Sequence, residues 1–107
     1  MSRLDEMFSI ICKCLNAEPD LVRSASRKMY LADARCIFAY HAIEEWYRPA
    51  EVYRYLNQSN RAVTTYLEKY KDLTSIGDVH FTRKVNEVKE ALDLWRKRKK
   101  KQRACKA

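Results

Sequence analysis

Residues 59–65 read Ser-Asn-Arg-Ala-Val-Thr-Thr, a run in which only Val63 falls on the apolar stripe of a helix. Asparagine can pair with N6 and N7 of adenine, arginine with O6 and N7 of guanine, and threonine can contact the thymine methyl group. The positions with side chains that could face DNA bases are therefore Ser59, Asn60, Arg61, Ala62, Thr64 and Thr65. An ordinary polar helix face capped by serine or asparagine has the same composition, so the run alone leaves both interpretations open.

Five cations near this run, or just before a predicted helix, are candidates for phosphate contacts. Arg54, Lys69 and Lys71 flank the polar run. Arg27 and Lys28 follow a Ser-Ala-Ser break, where a helix N-terminus with free backbone N–H groups could share a phosphate with both cations. A solvated pair of charges is the alternative interpretation of Arg27 and Lys28.

The positive charge of the chain is concentrated at its end. The net charge is +8, from 22 Lys and Arg against 14 Asp and Glu, yet all 14 acids lie at or before Asp93. Residues 1–95 hold 14 bases and 14 acids, and are neutral. The remaining eight bases are Arg96, Lys97, Arg98, Lys99, Lys100, Lys101, Arg103 and Lys106. A basic end on a neutral body predicts a polyanion partner held through phosphates, and a solubilising tail is the alternative.

The elements that position these residues follow from hydrophobic spacing, which is helical along nearly the whole chain. A two-turn helix from Pro49 to Leu56, a four-residue turn and a longer amphipathic helix ending near Tyr70 form the layout of a helix-turn-helix. We predict an all-α fold: a compact domain of about five helices over residues 1–95, and a basic C-terminal tail, a helical extension, over 96–107. The remaining predicted elements are a first helix over 4–15, a short helical piece from Pro19, a long helix over about 27–47 and a last helix from near Asp78.

The last predicted helix contains a seam of apolar residues with heptad-like spacing, namely Phe81, Val85, Val88, Leu92 and Trp95. The seam covers about two heptads, fewer than a coiled coil needs, so we expect it to dock on the core of the domain. The alternative is an exposed seam that pairs with another chain. In that case the chain is a helical protein-interaction module, and the tail only adds solubility or non-specific polyanion binding.

Several classes of function lack the residues they need. Cys12, Cys14, Cys36 and Cys105 have neither a disulfide framework nor zinc-ligand spacing, and His41 and His80 are isolated. We expect reduced thiols, no metal, no cofactor and no enzymatic activity. No apolar stretch reaches the ~18 residues that span a bilayer, and the start lacks a signal-peptide pattern, so we expect no membrane partner and a cytoplasmic, nucleoid-associated location.

Taken in order, these segments resemble a known family. An Asp20-Leu21 step, a Ser-Arg-Lys loop, a long helix with Ala32-x-x-Arg35 and a helix-turn-helix occur in the same order in the C-terminal DNA-binding domain of the bacterial replication initiator DnaA, a Trp-repressor-like fold. The resemblance spans about residues 8–92. The initiator's ATPase domain has no counterpart among the 107 residues, so we expect no origin melting by this chain alone.

The resemblance implies roles for individual residues. It places Arg27 at the arginine that enters the minor groove, with Lys28 beside it. It aligns residues 58–63 with Arg, Asp, His, Ser or Thr, Thr and Val of the family, so Ser59, Asn60 and Arg61 replace the base-reading residues. This departure implies a site other than the family's nine-base-pair box, as in a paralogue from a phage or mobile element.

The expected function is therefore sequence-specific binding of double-stranded DNA. The recognition helix would lie in the major groove, and the loop carrying Arg27 would lie in the minor groove. RNA binding ranks lower because most of the seven tyrosines fit helical core stripes rather than exposed stacking positions. The bound sequence, the biological process, replication or regulatory protein partners and the oligomeric state are left open by the sequence.

Overall fold

The computed structural model describes residues 3–26 and 28–106, with side chains described to residue 98. Within these ranges all regular structure is α-helical. The helices are α1 (Arg3–Cys14), α2 (Pro19–Val22), α3 (Met29–Glu44), α4 (Pro49–Leu56), α5 (Asn60–Ser75) and α6 (Val79–Lys106). The predicted all-α fold, its helix-turn-helix and its C-terminal helical extension are confirmed.

Helix α3 is the centre of the domain. It packs against α1, α2, α4 and α5, and its apolar side chains are buried on most sides. Phe38 lies edge-to-face against Phe8 of α1 at 4.9 Å between ring centroids, and Tyr40 stacks on Tyr70 of α5 at 3.9 Å. A helix without a polar stripe needs neighbours all round, which explains why the other helices form a shell about α3.

The helix-turn-helix consists of α4 and α5, joined by residues 57–59. Asn57 ends α4 in the left-handed region (φ 57°), a conformation that asparagine tolerates well. Ser59 caps α5, and its hydroxyl accepts a hydrogen bond from the Ala62 N–H at 3.2 Å. Helix α5 ends at Ser75 rather than near Tyr70, because Leu73 still packs on the core and the left-handed Gly77 (φ 71°) closes the helix.

The apolar seam of α6 lies inside the domain. Its five residues are all buried, from Val88 and Leu92 with no exposure to Trp95 with 8%. Docking of α6 on the core, the expected role of the seam, is confirmed, and the alternative of an exposed seam does not hold. The seam docks because it completes the shell: α6 packs on α1 and α5.

Helices α3 and α6 run in the same direction. Lys84 Nζ contacts the Asp33 carboxylate at 2.9 Å, and Arg96 Nη2 contacts the Glu45 carboxylate at 2.7 Å. In both pairs the residue of α6 lies 51 positions after its partner. Moving 12 residues along α3 therefore corresponds to moving 12 residues along α6 in the same direction. Over the described residues, no helix is long and apolar enough to cross a membrane.

Candidate nucleic-acid interface

The first turns of α5 present most of the candidate base-reading side chains to solvent. Ser59, Asn60, Arg61, Thr64 and Thr65 are exposed, and Ala62 is half-buried. The Thr65 hydroxyl donates to the Arg61 carbonyl at 3.1 Å, which satisfies its donor within the helix. The hydroxyl oxygen can still accept a hydrogen bond, and the methyl group suits contact with a thymine methyl.

A buried arginine holds the loop that precedes α3. Arg35 is only 4% exposed, and its guanidinium donates four hydrogen bonds to backbone carbonyls. The acceptors are Val22 at 2.7 Å, Ser26 at 2.7 Å, Ser24 at 2.8 Å and Leu21 at 3.1 Å. Because charge-assisted hydrogen bonds are the strong ones, this fork fixes the path of residues 21–26.

The same loop is bonded to the turn of the helix-turn-helix. Gln58 Nε2 donates to the Ser24 carbonyl at 2.8 Å, so one oxygen accepts from both Arg35 and Gln58. Arg23 adds a second link: its Nε donates to the Tyr55 carbonyl at 2.7 Å, and its guanidinium lies 4.9 Å from the centre of the Tyr55 ring. The loop and the start of α5 therefore form one connected surface, which we call the loop–helix surface: residues 23–26, Lys28 and residues 58–65.

The predicted phosphate-binding cations fall into three groups. Lys28, Arg54 and Lys71 are exposed, and Lys28 is the N-cap residue of α3. Lys69 lies instead between α5 and α3, with its Nζ 3.5 Å from the Asp33 carboxylate, which also binds Lys84. Arg27 lies outside the described residues, so its predicted place in a minor groove stays a prediction.

Two acids share the outer face of α5 with Arg61 and Thr65. Glu68 and Asp72 are exposed, and each lies seven residues, or about two turns, after one of those side chains. Both carboxylates lie in the C-terminal half of α5, and a carboxylate repels phosphates. The N-terminal half of the helix holds Arg61 and no acid, so it can approach a duplex more closely than the C-terminal half, where Lys71 stands beside Asp72.

The start of the predicted basic tail belongs to the domain body. Arg96 binds both Glu45 and Asp93, and Glu45 also accepts from Arg3 at 3.1 Å. Burial opposes ionisation of Glu45, yet the hydrogen bonds from Arg96 and Arg3 lower its pKa below the ordinary value. Lys97 and Arg98 are the first exposed cations of the extension, and the backbone stays helical to Lys106.

Three residues that position the surface were not predicted as site residues, namely Arg23, Arg35 and Gln58. The sequence did carry a signal for Arg35, since it stands between Ala34 and Cys36 in a helix that is apolar on most sides. A charged residue in such a place needs buried acceptors, and the irregular Ser-Ala-Ser break before α3 could supply free carbonyls. The partners of Arg23 and Gln58 lie 32 and 34 residues away and carry no local sequence signal.

Two buried cysteines belong to the hydrophobic core. Burial raises the pKa of Cys12 to about 11 and that of Cys36 to about 12, so both stay protonated thiols, as expected of small core residues. Among the residues that the structure describes, no group of three or more His, Cys, Asp or Glu side chains could hold a metal ion.

Comparisons with protein-family models, with curated proteins and with solved structures find no match, so the resemblance to the DnaA domain stays a prediction.

Proposed function

We propose that this chain binds double-stranded DNA with sequence preference through the loop–helix surface. The N-terminal half of α5 enters the major groove, where Asn60 and Arg61 pair with base edges and Thr65 contacts an apolar base edge. The loop before α3 lies along the neighbouring backbone and minor groove. Lys28, Arg54 and Lys71 hold phosphates.

The observation that carries this proposal is the shared acceptor at Ser24. Because Arg35 and Gln58 both bind its carbonyl oxygen, the loop and the first turn of α5 are held together before any DNA arrives. A surface fixed in this way loses little conformational entropy on binding. A merely polar helix face would not need a buried arginine to fix the loop beside it.

The charges on α5 support a particular docking pose. Arg61 lies in the first turn, and Glu68 and Asp72 lie further along the same exposed face. A helix that enters the groove N-terminus first brings Arg61 to the bases and keeps both carboxylates farther from the phosphates. The positive end of the helix dipole also faces the DNA in this pose.

The DnaA resemblance supports the same docking pose, and it also supports a proposal about the preferred DNA site. If Ser59, Asn60 and Arg61 stand where that family reads bases, the scaffold is kept and the preferred site differs from the family's nine-base-pair box. Association with the nucleoid follows from DNA binding and is part of this proposal. The chain's own bound sequence is the quantity to measure first.

Binding selection from a random duplex pool, followed by competition assays with the enriched site, tests the proposal. We expect Arg61→Ala to lose about 1–3 kcal/mol of affinity and to relax the preference at one base pair, as a bidentate guanine contact predicts. Arg83→Ala is the matched control, because Arg83 is exposed on α6 and pairs with Glu87. Unchanged affinity and preference in Arg61→Ala, or no enrichment of any site, would refute the groove assignment.

A further inference from the structure

A cavity lies beside the first turn of α3, where the C-terminal half of α5 and the first turns of α6 meet that helix. Its volume is about 580 Å³, and its apolar lining consists of Met29 and Tyr30 of α3, Leu73 of α5 and Phe81 of α6. Cavities of about 300–1,000 Å³ with mostly apolar walls and a few polar groups are the usual sites for small-molecule ligands. The size and lining of this cavity therefore fit a small organic molecule.

The polar groups of the cavity include an ion-pair cluster of two lysines and one acid. Lys84 Nζ lies 2.9 Å from one oxygen of the Asp33 carboxylate, and Lys69 Nζ lies 3.5 Å from the other. The Asp33 side chain is largely buried, whereas both lysine side chains are about one-third exposed. An ammonium group has three N–H donors, so each lysine can bind a second acceptor while it keeps its contact with Asp33.

The charges at the cavity favour an anionic ligand. Lys69 and Lys84 carry two positive charges, and Asp33 neutralises one of them. The other acid in the lining is Asp78, whose carboxylate accepts a hydrogen bond from the Phe81 N–H at 2.8 Å and so lies at the positive end of the α6 dipole. A ligand carboxylate that contacts both lysines would supply the negative charge that the cluster lacks and would form charge-assisted hydrogen bonds.

The apolar lining favours an aromatic ligand. Tyr30 and Phe81 supply aromatic rings, and Met29 supplies a thioether, which makes favourable contacts with rings. Met29 is 77% exposed and Tyr30 is 38% exposed, although both stand at the start of the central helix. A ring held in the cavity would cover apolar surface that is otherwise in contact with water.

From this arrangement we propose that the cavity binds a small aromatic carboxylate. The carboxylate binds Lys69 and Lys84, and the ring packs against Met29, Tyr30 and Phe81. An inorganic anion would use the two cations and leave the apolar walls uncovered, so the site should prefer the organic acid. The proposal does not depend on the function proposed for the loop–helix surface.

Titration of the full chain with 2-naphthoate tests the proposal, with the methionine methyl groups labelled with ¹³C and observed by NMR. We expect the Met29 signal to shift in a saturable way with a Kd on the order of 1 mM or lower, as is usual for ligands of this size. The signal of Met7, which is fully buried in the core, should stay unchanged and shows that the fold is intact. The uncharged 2-naphthamide should bind about tenfold more weakly, and inorganic phosphate should not shift the Met29 signal at the same concentration.

Lys69→Gln tests the role of the cations, because Lys84 still pairs with Asp33 in this variant. It should weaken binding of 2-naphthoate by about tenfold and leave binding of 2-naphthamide nearly unchanged. Lys89→Gln is the matched control, because Lys89 is exposed on α6 and does not line the cavity. The proposal would be overturned by the absence of a saturable Met29 shift, by equal affinity for the acid and the amide, by an equal response to phosphate, or by equal losses in the two variants.

Discussion

The side-chain amide of Gln58 donates a hydrogen bond to the backbone carbonyl of Ser24 at 2.8 Å, across 34 residues of sequence. Gln58 immediately precedes the N-cap of α5, and Ser24 lies in the loop before α3. The bond therefore sets the distance between the two parts of the surface that we assign to DNA. Removing this hydrogen bond leaves the side chains proposed to contact DNA unchanged, so it tests whether the position of the loop beside α5 affects DNA binding.

Gln58→Ala should weaken binding to the selected DNA site several-fold while the protein stays folded. A neutral hydrogen bond contributes about 1 kcal/mol to stability, so the free energy of unfolding should fall by about that amount. Affinity should fall because the loop no longer keeps its place beside α5. Asn86→Ala, which truncates an exposed amide on α6, is the control. Equal loss of affinity in both variants would contradict a positioning role for Gln58.

Arg35→Lys should destabilise the fold although the charge is kept. A lysine cannot reproduce the planar fork that binds four carbonyls, so several buried acceptors lose their partner and the free energy of unfolding should fall by about 3 kcal/mol. Urea denaturation measures the change. Arg54→Lys, the same substitution at an exposed position, should alter stability by less than about 0.5 kcal/mol. Similar stability of the two variants would show that the loop does not depend on the Arg35 fork.

Glu68→Gln should strengthen binding to every duplex, whatever its sequence. The exposed carboxylate lies on the outer face of α5, so its removal relieves repulsion with phosphates by about 0.5–1 kcal/mol at low salt. The gain should shrink as salt screens the charge. Glu90→Gln, on the exposed side of α6, is the control. No gain at low salt would mean that the outer face of α5 does not approach DNA.

Stability should fall as the pH is lowered from about 6.5 to about 4, because of His41. Burial, together with the nearby Arg96 and Lys89 cations, lowers the pKa of His41 to about 4, whereas an unfolded histidine titrates near 6.5. Between these values the unfolded chain binds a proton that the folded chain does not. The contribution is complete above pH 6.5 and decreases by on the order of 3 kcal/mol toward pH 4.

Thermal denaturation at several pH values measures this slope. His41→Leu should flatten it, while His80→Gln, which removes an exposed histidine, should leave it unchanged. The comparison uses the slopes and not the absolute stabilities, because His41→Leu also changes packing. An unaltered slope in His41→Leu would exclude His41 as the group responsible.

Local patterns in the sequence were enough to predict most helices. Pro19 and Pro49 stand in the first turns of α2 and α4, and the residues of the α6 seam recur at helical spacing and are buried. The end of α5 was placed too early because Leu73 is its only apolar residue beyond Tyr70, and its burial depends on tertiary packing. Helix propensity and hydrophobic spacing depend on residues close together in sequence. They therefore predict that a helix exists better than they predict where it ends.

The candidate site was less predictable than the helices. Exposure of Ser59–Arg61 follows from the apolar stripe of α5, which local spacing defines. The partners of Lys69, Gln58 and Arg96 lie 36, 34 and 51 residues away, and only the packing of whole helices brings them together. For this reason Lys69, expected at a phosphate, lies beside Asp33.

The chain contains two tryptophans in opposite surroundings. Trp95 is buried beneath the Arg3 guanidinium, 4.6 Å from its ring centre, whereas Trp46 is 94% exposed in the left-handed turn after α3. Indole fluorescence therefore has a sheltered and a quenchable component without any added label. The sheltered component reports on docking of α6, and the quenchable one reports on molecules that approach the C-terminal end of α3.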